Sequence, residues 1–170
     1  MKDKKKIFVH KAFKFAEKKY VSDVGFDLKA ISDPVVVGKK INNNIYLSID
    51  YIEYDCGIKI DPMQKNKNII YSMVFPRSSI SSKNLVLANS VGIIDPLYRE
   101  SIKLRFKYCS QPEDLVNFNE TFATKINQEK IYKVGERIGQ IVFFENEEIE
   151  FAYVDELLGT DRGGFGSTGN

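Results

Sequence analysis

Two carboxylates, an Arg-Ser-Ser string and one glutamine are the side chains of this sequence best suited to chemistry on a phosphate ester. Asp27 stands in Ser22-Asp23-Val24-Gly25-Phe26-Asp27-Leu28, and Asp95 in Asn89-Ser90-Val91-Gly92-Ile93-Ile94-Asp95-Pro96-Leu97-Tyr98-Arg99. A carboxylate can accept a hydrogen bond from a water and aim it as a nucleophile, or hold a hard cation through its water shell. Arg77-Ser78-Ser79 offers a guanidinium, two hydroxyls and backbone N–H groups in one turn, the donor set a polyphosphate needs. Gln140, closing Gly135-Glu136-Arg137-Ile138-Gly139-Gln140, adds an amide donor. Nucleophilic triads are poorly served. The single histidine, His10, follows Ile7-Phe8-Val9 and reads as a strand-edge residue far from every block above. Acid–base work falls to the carboxylates.

Short β-strands must position these groups. Pro34-Val35-Val36-Val37, the stretch from Asn44 to Asp50, Gly57-Ile58-Lys59-Ile60 and the stretch from Ile69 to Phe75 are rich in β-branched and aromatic residues, with turn signals between them. From Ser101 to Tyr108, Ile102, Leu104, Phe106 and Tyr108 alternate with Lys103, Arg105 and Lys107, which predicts one buried and one wet face. Ile138 to Phe144 and Glu150 to Val154 continue the strand pattern, and Gln111 to Gln128 is polar and irregular, suited to a short helix or inserted loop. No stretch keeps a helical period over three turns. The fold class expected is all-β, a sandwich or barrel in one domain.

Composition agrees with a soluble globular chain: 170 residues, 43% hydrophobic, 28% charged, net charge +2. No apolar run reaches the length of a membrane span, so no membrane association is expected. Cys56 and Cys109 match no metal-site spacing and read as reduced core or strand residues, which points to a cytoplasmic or similarly reducing compartment. Eight lysines precede residue 20, the first of them in a basic start over residues 1–6. These read as a solvated tail, with no specific nucleic-acid binding expected. Residues 159–170 carry five glycines and one large apolar residue, too little to offset ordering entropy, so a mobile C-terminal segment is expected there.

Taken in order, the five blocks Ser22–Leu28, Pro76–Ser79, Asn89–Arg99, Gly135–Gln140 and Gly163–Gly169 resemble the trimeric deoxyuridine triphosphatases (dUTPases), which cleave dUTP to dUMP and pyrophosphate. The resemblance implies a dUTPase-like distorted jelly roll over residues 1–158 with a Gly-rich lid over 159–170. It implies that Asp95 orients the attacking water toward the α-phosphorus, and that Asp27 helps hold Mg²⁺ through water. Arg77, Ser78, Ser79 and Gln140 would bind phosphate oxygens. Asn89, the backbone near Ile93 and Ile94, and the backbone at Lys103 would surround uracil in a β-hairpin, with Tyr98 packed on the deoxyribose. In the tail, Phe165 would stack on the base, while Arg162, Gly166, Ser167 and Thr168 would close on the γ-phosphate. A homotrimer with shared active sites is implied, in the cytoplasm, in a host's cytoplasm if viral, or in the nucleus.

The chain departs from the family pattern at several points. Glu100 replaces a usual Gly after Tyr-Arg, Pro96-Leu97 replaces a small or acidic pair, Gly139 replaces Ala, and Arg162 precedes Phe165 by three residues rather than five. A Gly needed for positive φ would make Glu100 a local cost. Two other readings compete: a non-catalytic or weakly active dUTP-binding regulatory module, and a dCTP deaminase on the same fold. The deaminase would need a glutamate in a Leu-Glu-Phe-like setting, where this chain has Leu104-Arg105-Phe106.

Overall fold

The computed structural model describes residues 6–12, 14–62, 70–147, 149–156 and 159. Its strands are β1 Phe8–Val9, β2 Phe26–Lys29, β3 Val35–Asn42, β4 Ile45–Asp55, β5 Ile60–Asp61 and β6 Ile70–Pro76. They continue with β7 Leu85–Leu87, β8 Gly92–Ile94, β9 Lys103–Tyr108, β10 Leu115–Phe118, β11 Thr121–Lys125 and β12 Arg137–Glu145. One sheet runs β10-β11-β4-β9-β7, with β3 on the far edge of β4; a second runs β2-β12-β6-β8; β1 and β5 form a two-stranded ribbon. All pairings are antiparallel. The all-β expectation holds.

The two sheets bury one core between them. Leu28, Val74, Ile138 and Ile141 enter it from the β2-β12-β6-β8 sheet, and Ile52, Tyr54, Leu87, Leu104 and Phe106 from the other. The alternation expected around β9 is realised: Ile102, Leu104 and Phe106 are buried, while Lys103, Arg105 and Lys107 are exposed. Phe106 meets Tyr54 edge-on at 5.7 Å between ring centroids. The Tyr54 hydroxyl donates to the Tyr132 carbonyl and accepts from its N–H, each at 3.1 Å, which ties the 131–136 loop to the core. Burial first, and then nearby negative groups, push the Tyr54 hydroxyl pKa well up, so it stays a donor.

Three expectations need correction. The polar stretch from Gln111 to Gln128 holds one short 3₁₀ helix, but most of the rest is strand rather than loop. After a 3₁₀ turn over Pro112–Asp114, it forms the β10–β11 hairpin. Its turn is made by Asn119, whose φ of 54° lies in the left-handed region that asparagine tolerates. Buried Asp114 anchors the hairpin, accepting from the Tyr108 hydroxyl at 2.8 Å and the Gln111 N–H at 2.9 Å. Second, Glu150 to Val154 is not a strand, and Phe151 and Tyr153 are exposed. Third, only Ile60 of the Gly57–Ile60 stretch is in a strand. The Gly57 N–H bonds back to the Asp55 carboxylate at 2.7 Å, and the turn bends the chain away from the ladder.

Gly38 marks a register shift between β3 and β4. A Cβ there would lie 2.1 Å from the Ser48 carbonyl oxygen, a backbone atom that cannot swing aside. We therefore expect Gly38→Ala to cost about 3 kcal/mol, combining overpacking with local strain. Urea unfolding should show a lower midpoint at unchanged slope, and an unmoved midpoint would mean the bulge relaxes freely.

Candidate active site

Two clefts hold most of the described residues singled out by sequence. The first opens where the two sheets diverge, a cavity of about 430 Å³. Asn89, Ile93, Ile94 and Tyr98 line it from one side, and Lys103, Leu104 and Arg105 from β9. Its shape follows from the topology. β8 pairs with β6 alone, and β9 pairs with β4 and β7, so β8 and β9 do not pair with each other. The Asn89–Tyr98 segment is thus a crossover between sheets, not a self-paired hairpin. Among the described residues, one edge of β8 is left open toward the cleft, and the β7–β9 pairing ends at the Ala88 N–H on the Arg105 carbonyl at 2.9 Å, short of Lys103. Because backbone groups alternate along an antiparallel strand, every second residue of β8 turns its N–H and C=O to this open edge, as Lys103 does from β9, and such groups can meet a planar polar ligand. The turn into β8 is tight, with Ser90 at φ 59° and its N–H on the Leu87 carbonyl at 3.1 Å.

Tyr98 lies at the mouth of this cleft, 38% exposed, its hydroxyl donating to the Ser101 carbonyl at 3.0 Å. Asp95, one residue beyond β8, is exposed, and its carbonyl accepts the Tyr98 N–H at 3.0 Å. Glu100 does not have positive φ, so the feared backbone cost is absent; its carboxylate instead meets Lys59 at 3.3 Å.

Two charged residues of the cleft, Glu53 and Arg105, were not anticipated as part of a site. Glu53 receives Lys103 Nζ at 3.0 Å and Arg105 Nε at 2.8 Å. Burial raises the Glu53 pKa, but hydrogen bonds from Arg105 and Lys103 outweigh it and leave the carboxyl below its ordinary value. The signal was present in the outward phase of β4 opposite Arg105, but the β4–β9 register that pairs them is tertiary information.

The second cleft, about 370 Å³, gathers Asp27, Arg77, Arg137 and Gln140 with Lys18 and Lys19 at its rim. Asp27 and Gln140 are register partners on β2 and β12, and the Pro76 end of β6 pairs beside them at Gly139. Arg77 follows directly and caps a 3₁₀ turn over Ser78–Ser82, with Ser78 and Ser79 exposed. Asp27 holds both guanidinium groups, Arg77 Nε at 3.1 Å and Arg137 Nη1 at 3.0 Å. A Cβ on Gly25 would lie 2.6 Å from Gln140 Oε1, so the glycine makes room for that amide. Glu17 and Asp23 also line the cleft, so its charges are mixed, but Arg77, Arg137, Gln140 and the two lysines make it rich in donors suited to phosphate oxygens.

The sequence-predicted residues are thus not united by a single cleft, and Asp95, Ser78 and Ser79 line neither of the two. Asn89, Ile93, Ile94, Tyr98 and Lys103 line the first, Asp27, Arg77 and Gln140 the second, and no described residue lines both. Arg162, Phe165, Gly166, Ser167 and Thr168 lie outside the described residues, as does nearly all of the expected lid. Among the described residues no cluster of three or more acidic, His or Cys side chains forms a metal cage, and no helix is long and apolar enough to cross a membrane.

An all-β sandwich with a strand-edge cleft and a separate donor-rich cleft is a jelly-roll-like fold. The dUTPase family model matches residues 11–169, so the chain belongs to the dUTPase family. The deoxyuridine 5'-triphosphate nucleotidohydrolase of Finegoldia magna is 32% identical over 152 residues, covering 88% of this chain and 87% of that protein. The same enzyme of Escherichia phage T5 is 36% identical over 104 residues, 59% of each. Among solved structures, Staphylococcus bacteriophage 80alpha dUTPase with dUpNHpp superposes with a TM-score of 0.64 at 20% identity, covering 98% of this chain and 99% of that one. The dUTPase of phage phi11, described with a structural Mg(II) ion, gives 0.57 at 15% identity over 89% and 97%. These two structures speak for the fold.

Proposed function

We propose that the protein hydrolyses dUTP to dUMP and pyrophosphate, with Asp95 orienting the attacking water. The observation that carries this reading is the cleft of open strand edges lined by Ile94 and Tyr98, which stand either side of Asp95 in the sequence of this member of the dUTPase family. Uracil presents an acceptor–donor–acceptor edge, which the backbone at Ile93, Ile94 and Lys103 can match while opposing the reversed edge of cytosine. Asn89 adds a side-chain amide beside them, and Tyr98 closes on the sugar. The Asp95 carboxylate accepts a proton from water as the water oxygen bonds to the α-phosphorus and the bond to the β-phosphate bridging oxygen breaks. Arg77, the Ser78 and Ser79 hydroxyls and Gln140 donate to the phosphate oxygens as charge builds on them.

Mg²⁺ belongs in this reading with the triphosphate, whose charge it would neutralise. Asp27 does not suit direct ligation, since both its oxygens already face guanidinium groups. A contact through metal-bound water fits its 19% exposure and the habits of a hard cation. The separation of the two clefts favours a homotrimer in which one subunit supplies the base cleft and another the phosphate cleft. Exposed Ile149, Phe151 and Tyr153 supply apolar surface that such an assembly would cover.

Pyrophosphate release measured on dUTP, dCTP and UTP tests the proposal; release from dCTP or UTP at the dUTP rate, or from none, would overturn it. Deamination finds no glutamate at position 105, where the resemblance would need one. Arg105 does line the cleft, but its guanidinium is paired with Glu53 and cannot accept a proton. We further expect Tyr98→Ala to reduce the dUTP-to-UTP ratio of kcat/KM by at least about tenfold, because the lost ring opens space for a 2′-hydroxyl. An unchanged ratio would remove Tyr98 as the sugar gate.

A further inference from the structure

The loop from Asp95 to Ile102 is laced along its length to the 55–61 segment, and most of the lacing uses side chains outside the catalytic blocks. Arg99 Nη2 meets Asp61 Oδ1 at 2.8 Å, while its Nη1 donates to the Pro96 carbonyl and, at 3.3 Å, to the Tyr98 carbonyl. One guanidinium therefore bridges the turn that follows Asp95 to β5. Lys59 Nζ meets Glu100 at 3.3 Å on the next residue. The Ser101 hydroxyl bonds the Asp55 carboxylate, and the Ile102 N–H donates to the Ile58 carbonyl at 2.9 Å. The far edge of β5 is itself held, by β1 through Phe8↔Asp61 and Val9↔Ile60 and by the His10 N–H on the Lys59 carbonyl at 3.0 Å.

We propose that Asp61 and Lys59 are positioning residues that fix the Asp95–Ser101 loop through Arg99 and Glu100, and so set the placement of Tyr98. Glu100 is then a working part of this chain's loop, where its relatives' pattern has Gly. An isolated exposed ion pair stabilises little. Here two adjacent pairs act on one short loop, and Arg99 also occupies two of that loop's carbonyls, so their loss is felt as loop freedom rather than as lost fold stability. Asp61 and Lys59 touch no part of the cleft beside Ile93 and Ile94, which keeps the role indirect. The inference rests on the reading that Tyr98 closes on the sugar.

The test compares full-length Asp61→Asn, Arg99→Gln and their double variant, together with Lys59→Glu, Glu100→Lys and that charge-swapped pair. Amide hydrogen exchange at residues 97–101 should quicken about tenfold in Asp61→Asn, with a thermal midpoint within about 3 °C of wild type. The dUTP-to-UTP ratio of kcat/KM should fall about fivefold, the double variant should be no worse than Arg99→Gln, and the Lys59/Glu100 swap should recover most of what either reversal loses. Unchanged exchange in Asp61→Asn, effects of Asp61→Asn and Arg99→Gln that simply add, or quickened exchange spread over the whole core would each overturn the clamp. Exchange reads the clamp whatever Tyr98 does. If exchange quickens while both Asp61→Asn and Tyr98→Ala leave the ratio intact, the clamp stands and the reading of Tyr98 fails.

Discussion

Asp95→Asn should lose turnover on dUTP by roughly 10²–10⁴-fold while still binding the nucleotide. The amide keeps the size and the backbone turn, because the Asp95 carbonyl, not its side chain, accepts the Tyr98 N–H. What disappears is the negative charge and the acceptor able to take a proton from water. The carboxylate is exposed, so stability should change little. Isothermal titration with a non-hydrolysable dUTP analogue, beside pyrophosphate release, separates the two effects. A variant keeping more than half of the wild-type kcat would exclude Asp95 as the water-orienting group.

Much of this molecule was legible in the residues before any coordinates, and the exceptions have physical causes. β9 announced itself because its alternation is strict and both of its faces are used as the pattern requires. The β10–β11 hairpin was missed because its exposed positions hold Leu115 and Phe122 as well as Asn117, so apolar and polar residues do not alternate with burial. The one local signal, Asn119-Glu120 between two short apolar stretches, is weak without the left-handed φ to explain it. Phe151 and Tyr153 misled in the opposite direction. They alternate as a strand would, yet within one chain no sheet edge takes them. Asp27, Arg77 and Gln140 were legible as chemistry but not as neighbours. Their meeting depends on β12 lying between β2 and β6, a pairing that spans most of the chain. Glu53 was illegible for the same reason. A single glutamate in a strand says nothing until register sets it against Arg105.

That meeting of β2, β12 and the end of β6 carries the remaining large effect. Arg77→Lys should lower kcat on dUTP by about 10²-fold, a loss of the size seen when one preorganised donor to a developing charge is removed. The charge survives the substitution, so a reading based on charge alone expects almost nothing. Geometry argues otherwise. The guanidinium spends its Nε on Asp27 at 3.1 Å, and because the fork is planar its remaining N–H groups stay free to point into the cleft beside Gln140. A lysine ammonium has no such division of labour: held on Asp27 it leaves the phosphate, and turned to the phosphate it leaves Asp27 to Arg137 alone. Arg137→Lys is the control. Arg137 is the outer partner, 46% exposed against 32% for Arg77, and its side chain begins on the strand rather than on the Ser78–Ser79 turn. Its loss should cost less than about tenfold in kcat, in the range of a partly exposed ion pair. Steady-state kinetics of the two variants at saturating dUTP decide the matter. Equal losses would mean that Asp27 needs only two positive neighbours, and that Arg77 does not reach the phosphates.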